Sequence, residues 1–398
     1  MLPSKNPILY PNEADFSARF NEGKSQLIWA TCPADLDTPV ATILRLMEDG
    51  KPSFLLESVE KGEIRGRYSV IGLMPDLIWR CKGNKAEICY SDTIKDDEFV
   101  ECSKDSLNSL RKLYEDSKID IPEGLPPMSC GLVGTMGYDM VKLMEDLPST
   151  KPDSIGIPDA CFIRPKLMVI FDAVTDKIFI ITSIYTDKER ENAKSAYAAA
   201  AKRIRHVLDR LAAPIPEKNN KNYQPVSIAD FASNTTRKQY DEMLEKAREY
   251  IRAGDIFQVV LSQRFSAKFT LPPFALYRAL RQLNPSPFLF YLHLGSYTLV
   301  GSSPEILVRL RDGEVTIRPI AGTRKRGRDK QEDARQAADL LADPKEVSEH
   351  LMLLDLGRND VGRVAKIGSV KTTQQMSIEN YSHVMHIVSN CAGKLRKD

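Results

Sequence analysis

Residues 166–185, KLMVIFDAVTDKIFIITSIY, carry two apolar runs on either side of Asp172-Ala173-Val174-Thr175-Asp176. Each run is strand-sized and rich in β-branched and aromatic residues, so the segment predicts a β-hairpin. The hairpin sets the character of residues 25–185, which read mainly as strands and turns. PSFLLES alternates with polar turns, and GRYSVIGLMPDLIWRC sets β-branched and aromatic residues between Gly and Pro. GLVGTMGYD spaces its glycines as G-x-x-G-x-x-G, not the G-x-G-x-x-G of a dinucleotide loop, which leaves close backbone packing as the reading. The longest apolar runs are strand-sized and broken by charge, so none spans a membrane. The N-terminal MLPSKNPILYPNEADF has no basic start followed by an apolar run, the pattern of a secretory signal.

DKERENAKSAYAAAAKRIRHVLDRLAA, residues 187–213, is Ala-rich with one polar face and predicts a long helix. PIPEKNNKNYQPV follows, polar and rich in Pro and Asn. Residues 213–226 are therefore expected to link a region 20–212 to a region 227–398. In the second region Tyr240, Met243, Leu244, Ala247 and Ile251 form a helical stripe that Gly254-Asp255 stops. IFQVVLSQRFSAKF then predicts a strand, residues 274–283 a helix, and NPSPFLFYLHLGSYTLVGSSPEILVRLRDGEVTIRPIAG a succession of strands. Two helices flank Asp343. The second has an N-cap acid, Pro344 at its first position and Glu346 three residues on.

Lys plus Arg number 56 against 54 Asp plus Glu, a net charge of only +2. A duplex binder carries a strong basic excess, and no stretch interleaves aromatic with basic residues, so a nucleic-acid role is disfavoured. Any cationic site is local, and RPIAGTRKRG (318–327) is the densest candidate. The seven cysteines are scattered with no C-x-x-C pair, which suits a reducing, cytoplasmic compartment.

On the helix PKEVSEHLMLLDLGRND, Glu346 and Glu349 fall three apart with Asp360 near the same azimuth, beside Leu353, Leu356 and Gly357. Acids among apolar neighbours on a largely buried helix need a partner or a metal. A surface face of acids is the ordinary alternative. An oxygen-ligand site for Mg²⁺ is the functional one, since that ion uses one or two carboxylates and keeps waters. His383 and His386 in YSHVMHIVS lie on a strand-like segment without the Glu of a zinc-protease helix, so a packed or catalytic histidine is expected. Glu305 follows a Ser-Ser-Pro turn. It reads either as a surface acid at a strand end or as a general acid, given a raised pKa.

Taken together and in order, GDIFQVVLSQRF, NPSPFLFYL, GSSPE, RPIAGTRKRG, EHLMLLDLGRNDVGRV and YSHVMHIVS resemble the chorismate-utilising enzymes, and specifically the large subunit of anthranilate synthase. LLES and GRYSVIG resemble that subunit's N-terminal region. The resemblance implies an α+β fold, a large two-lobed body of mainly antiparallel stacked sheets with outer helices. It implies conversion of chorismate and ammonia to anthranilate and pyruvate, with ammonia drawn from glutamine by a separate amidotransferase subunit. By position, Glu349 resembles the Mg²⁺ ligand and Glu346 a supporting acid, Glu305 the acid that protonates the departing ring hydroxyl, and His386 the catalytic histidine. Gly322 and Thr323 match the chorismate-contacting turn, so RPIAGTRKRG becomes a pocket wall whose cations favour a dianionic substrate.

Two positions separate branches of this family. Relatives that add water resemble K-V-V-L-S-R where this chain has Gln258, and Gln cannot serve as the base that activates water. Relatives making aminodeoxychorismate resemble P-I-K-G-T where this chain has Ala321. An enzyme stopping at aminodeoxyisochorismate shares both features and stays open as an alternative, as does a non-catalytic module that binds tryptophan or the amidotransferase. Leu56, Glu57 and Ser58 resemble one wall of the family's L-tryptophan inhibitor site, with Pro285, Ser286 and Pro287 the other. These stretches lie in different halves, which suits feedback at a lobe interface. Relatives continue past the histidine motif with a large C-terminal segment bearing further substrate and metal contacts, and the sequence is expected to lack it.

Overall fold

The computed structural model describes residues 7–60, 64–91, 96–148, 151–186, 192–216 and 226–397. Of the expected linker, 217–225 lie outside the described residues, as do 187–191 at the start of the Ala-rich segment. The chain divides into one unit of residues 1–216 and 277–398 and a second of residues 217–276.

The larger unit is α+β, built on two antiparallel sheets with helices against them. The first sheet has ten strands: β1 (Gln26–Pro33), β2 (Ser53–Glu57), β3 (Tyr68–Lys82), β4 (Lys85–Cys89), β5 (Val100–Glu101), β6 (Val133–Met136), β7 (Ala160–Asp172), β8 (Lys177–Ile184), β9 (Phe288–His293) and β10 (Thr298–Ser303). Its main path runs β1-β8-β7-β3-β2-β9-β10. The predicted hairpin is β7–β8, closed where Asp172 pairs with Lys177. Nearly every residue of both strands is buried, which is why their sequence is apolar throughout instead of alternating. Phe54, Val70, Ile163, Ile170, Ile181 and Leu292 meet in one core, each worth about 1.5–3 kcal/mol of burial.

Gly134 shows why G-x-x-G-x-x-G stands where it does. A Cβ there would lie 2.0 Å from the Cys161 carbonyl oxygen, so β6 approaches β7 only without a side chain. The Ala-rich helix, Ala193–Leu211, lays Ala196, Ala200, Ile204, Val207 and Leu211 on β8 and β1, a stripe at helical spacing.

The second sheet consists of β11 (Arg309–Arg311), β12 (Glu314–Ile317), β13 (Ile320–Lys325), β14 (Lys371–Asn380) and β15 (Val384–Lys394). β15 is its centre, pairing with β12 and β13 on one side and β14 on the other. The helices Lys330–Ala342 and Pro344–Val364 pack against it, the longer one started by Asp343, whose side chain accepts from the Lys345 and Glu346 amides. The long helix buries His350, Leu354, Gly357 and Val361, a narrower stripe than expected; Leu351 and Leu356 are exposed.

In the smaller unit, helix Arg237–Ala253 begins with a Thr236–Gln239 capping box and ends at Gly254 with φ 80°. IFQVVLSQRFSAKF departs from expectation: only Phe265–Ser266 forms a strand, paired with Ala232–Ser233. Among the described residues no strand pairs with 256–262, and strand propensity without a neighbouring strand forms no ladder.

Candidate functional site

β13 and β15 run in register until Ala321 meets Ile387, then slip so that Thr323 meets His386. Gly322 is the extra residue, a bulge with φ 70°, where a side chain is strained and glycine is not. A Cβ there would sit 3.1 Å from Leu340 Cδ1, 3.2 Å from Ile387 Cδ1 and 3.3 Å from Glu346 Oε2. Met385 and Ile387 point to the helix side of β15, packed with Leu340, so the pleat turns His386 to the other face. There His386 Nδ1 is 2.9 Å from the Gly322 carbonyl oxygen and 3.1 Å from Thr323 Oγ1.

Two further groups frame the imidazole. The Tyr381 ring meets it edge-on, with centroids 5.4 Å apart and planes at 64°. The Tyr381 hydroxyl donates to Glu379 at 3.3 Å, and Glu379 is paired with Arg318. Burial and the adjacent Glu379 push the Tyr381 pKa up to about 12. Glu305, just past β10, is exposed as a residue, yet its carboxylate turns inward to accept the Ile320 N–H at 3.2 Å. Desolvation there raises its pKa, against the opposing effects of that N–H and of nearby His386.

The cations of RPIAGTRKRG answer mainly to protein acids. Arg318 pairs with Glu379, Arg324 with Asp339 at 2.7 Å and Asp343 at 2.9 Å, and Arg326 with Asp333 at 2.8 Å. These three arginines tie β13 and its flanks to neighbouring elements. Glu346 and Glu349 lie half-buried on the helix Pro344–Val364, one turn apart, and Glu346 comes up to Gly322. Among the described residues no group of three or more His, Cys, Asp or Glu is placed so that it could hold a metal ion. His350, next to Glu349, is fully buried and its Nε2 is 2.6 Å from Ser389 Oγ, which ties this helix to β15. Gln258 lies exposed in the smaller unit, in a segment without helix or strand. His383 is exposed beside Ser382 Oγ, 2.9 Å from its Nδ1.

A second cluster gathers the other expected residues. Leu56 and Glu57 close β2 and Ser58 follows it; Leu289 of β9 pairs with Glu57 on one side and Ser302 of β10 on the other. The Glu57 carboxylate is buried and accepts from Tyr277 at 2.5 Å and from Arg281 at 2.7 and 3.0 Å, both on the helix Pro273–Leu283. Ser286, buried between Pro285 and Pro287, has its hydroxyl 2.8 Å from Ser302 Oγ, and Ser302 also donates to the Asn284 carbonyl at 2.6 Å. Two residues, Ser303 and Pro304, separate Ser302 from Glu305. Tyr277, Arg281, Ser302 and Tyr381 were not among the expected site residues. Tyr381 and Ser302 had a signal, their places in YSHVMH beside the histidine and in GSSPE before Glu305.

None of the seven cysteines forms a disulfide, and among the described residues no helix is long and apolar enough to cross a membrane. The model for chorismate binding enzymes matches residues 51–398. Component 1 of anthranilate synthase from Cereibacter sphaeroides is 49% identical over 380 residues, spanning 96% of this chain and 76% of that protein. The Thermus thermophilus counterpart is 42% identical over 91% of this chain and 74% of its own. Among solved structures, component I from Streptococcus pneumoniae aligns with TM-score 0.69 and 32% identity, covering 92% of this chain and 76% of that one. The menaquinone-specific isochorismate synthase of Escherichia coli shares the fold, with TM-score 0.63 at 15% identity over 97% of this chain and 77% of its own. Identity of this degree along nearly the whole chain, over a fold that the solved structures share, means that the chain belongs to the anthranilate synthase component I family of chorismate-binding enzymes.

Proposed function

We propose that the chain aminates chorismate with ammonia and releases anthranilate, pyruvate and water, with a glutamine amidotransferase subunit as its ammonia source. The observation that carries the reading is the placement of Glu305, an acid of raised pKa, at the start of β13 near His386, which sits at the β13 bulge. In its protonated form, which the raised pKa favours, Glu305 has the proton that a departing ring hydroxyl needs. His386 exchanges a proton in the later loss of pyruvate. Thr323 and the Gly322 backbone contact the substrate, and Gln258, which has no basic lone pair to activate water, keeps the reaction to ammonia.

Glu349 and Glu346 offer hard carboxylate oxygens, which fit Mg²⁺, an ion that takes one or two protein carboxylates and fills its remaining positions with water and anionic substrate. Bound there, the ion would withdraw charge through the ring carboxylate of chorismate. The Glu57–Ser58 end of β2 and the Pro285–Pro287 turn form the walls of an L-tryptophan inhibitor site. Its nearness in the sheet to Ser302 and Glu305 supports regulation of the reacting centre.

The test is anthranilate fluorescence from chorismate, ammonium and Mg²⁺, with pyruvate measured in parallel and tryptophan titrated into the same sample. Stoichiometric anthranilate and pyruvate, suppressed by tryptophan, is the expected result. An aminated product without pyruvate would indicate an enzyme that stops at aminodeoxyisochorismate. Tryptophan binding without turnover would indicate a regulatory module.

A further inference from the structure

We propose that Gly322 is a positioning residue for His386: the carbonyl freed by the bulge selects the Nδ1-protonated tautomer and leaves Nε2 as the nitrogen able to take up a proton. The inference rests on the reading of His386 as a catalytic group and goes further, naming the working atom and what sets it.

A carbonyl oxygen has no proton to give, so at 2.9 Å the hydrogen of this bond belongs to Nδ1. Thr323 Oγ1, 3.1 Å from the same nitrogen, can donate or accept and so is compatible with either tautomer. The carbonyl is decisive. It is available because the register slip leaves Gly322 without a ladder partner between Ala321–Ile387 and Thr323–His386. Its φ of 70° turns the backbone at a point where a Cβ would press on Leu340, Ile387 and Glu346. Glycine at 322 thus does two things: it lets β13 lie close against the helix side, and it presents its oxygen to the opposite face.

The ring is kept from turning over. A half-rotation would exchange Nδ1 for a carbon at the Gly322 oxygen, losing the hydrogen bond. Tyr381, edge-on to the imidazole and held through Glu379 to Arg318, sets the ring plane. Nδ1 is thereby occupied by protein, and Nε2 is the nitrogen left for chemistry.

The experiment is a long-range ¹H–¹⁵N correlation spectrum of the full chain labelled with ¹⁵N-histidine, recorded above the imidazole titration range. The chain has five histidines, and His386 is identified by its disappearance in His386→Gln. Expected for His386 is the Nδ1–H pattern with an unprotonated Nε2; an Nε2–H pattern overturns the proposal. Thr323→Val should leave the tautomer unchanged, and a switch there would assign selection to the hydroxyl and overturn the role of the carbonyl. Gly322→Ala should shift His386 toward the Nε2–H form, with the other four histidine signals in place as evidence of folding. A pure Nδ1–H pattern in that folded variant also overturns it. Should Gly322→Ala fail to fold, the wild-type and Thr323→Val spectra decide alone. No substrate, metal or turnover enters the measurement, so the proposed reaction and this tautomer can fail separately.

Discussion

Glu57 and Tyr277 stand 220 positions apart in the chain and share a hydrogen bond of 2.5 Å. Arg281 completes the arrangement, with its guanidinium on both oxygens of the same carboxylate. Burial and the Glu57 charge raise the Tyr277 pKa well above the usual phenol range, so the hydroxyl remains a donor across all accessible pH. Tyr277→Phe removes one hydrogen bond to a buried charge. It should cost about 1.5–3 kcal/mol in urea unfolding. If Glu57 is a wall of the inhibitor site, the same variant should also weaken tryptophan inhibition.

Ser58 is half-buried, and its carbonyl accepts the Gly66 N–H at 2.7 Å. A Cβ on Gly66 would fall 2.5 Å from Ser58 Cβ, so the space around position 58 is narrow. Ser58→Arg should abolish tryptophan inhibition while leaving uninhibited turnover intact. An unchanged inhibition curve would remove this stretch from the effector site.

The raised pKa of Glu305 gives activity a direction with pH. Its carboxyl holds a proton at higher pH than an ordinary glutamate, and the protonated form is the one that can assist a leaving hydroxyl. Turnover should therefore fall as pH climbs through that value. Glu305→Gln should lose about 10²–10⁴-fold in turnover and flatten this limb of the pH–rate profile. A variant with the wild-type limb would place the titrating acid elsewhere.

Glu346 and Glu349 should differ in metal dependence. Glu346→Gln, altering a group that supports the ligand, should raise the Mg²⁺ needed for half-maximal turnover by about 10–100-fold. Glu349→Gln should raise it further and nearly abolish activity, with circular dichroism unchanged. Equal effects at both positions would rule out the assigned division between ligand and support.

The parts of the fold that were legible in the sequence are those whose pattern is local. The β7–β8 hairpin announces itself because burial on both faces demands continuous apolar runs, and the Ala193–Leu211 helix because small residues recur at its spacing. Residues 256–262 misled for the complementary reason: IFQVVLS has strand propensity, but a strand also needs a neighbour. The cations of RPIAGTRKRG could be counted but not paired, since Arg318 finds its acid 61 positions away in Glu379. The bulge left a single trace, a glycine inside a strand pattern, and nothing in the sequence says which way its carbonyl turns. Tyr277 and Arg281 gave no signal at all, being ordinary residues of an amphipathic helix until Glu57 is brought beside them.

The pairing of β2 with β9 also has a consequence for the protein's birth. Leu289 pairs with Glu57, so about 230 residues must be made after β2 before its neighbour exists. At about 5–20 residues per second that is a wait of about 12–46 s. Once β8 has been made, the growing chain can assemble β1, β8, β7, β3 and β2, an apolar sheet whose β2 edge is still open. Until β9 arrives, a nascent chain on the ribosome shows its neighbours the open edge of SFLLE, ready to join any similar edge. Holdase chaperones that cover such an edge should bind chains stalled before residue 288 and release those stalled well beyond 303.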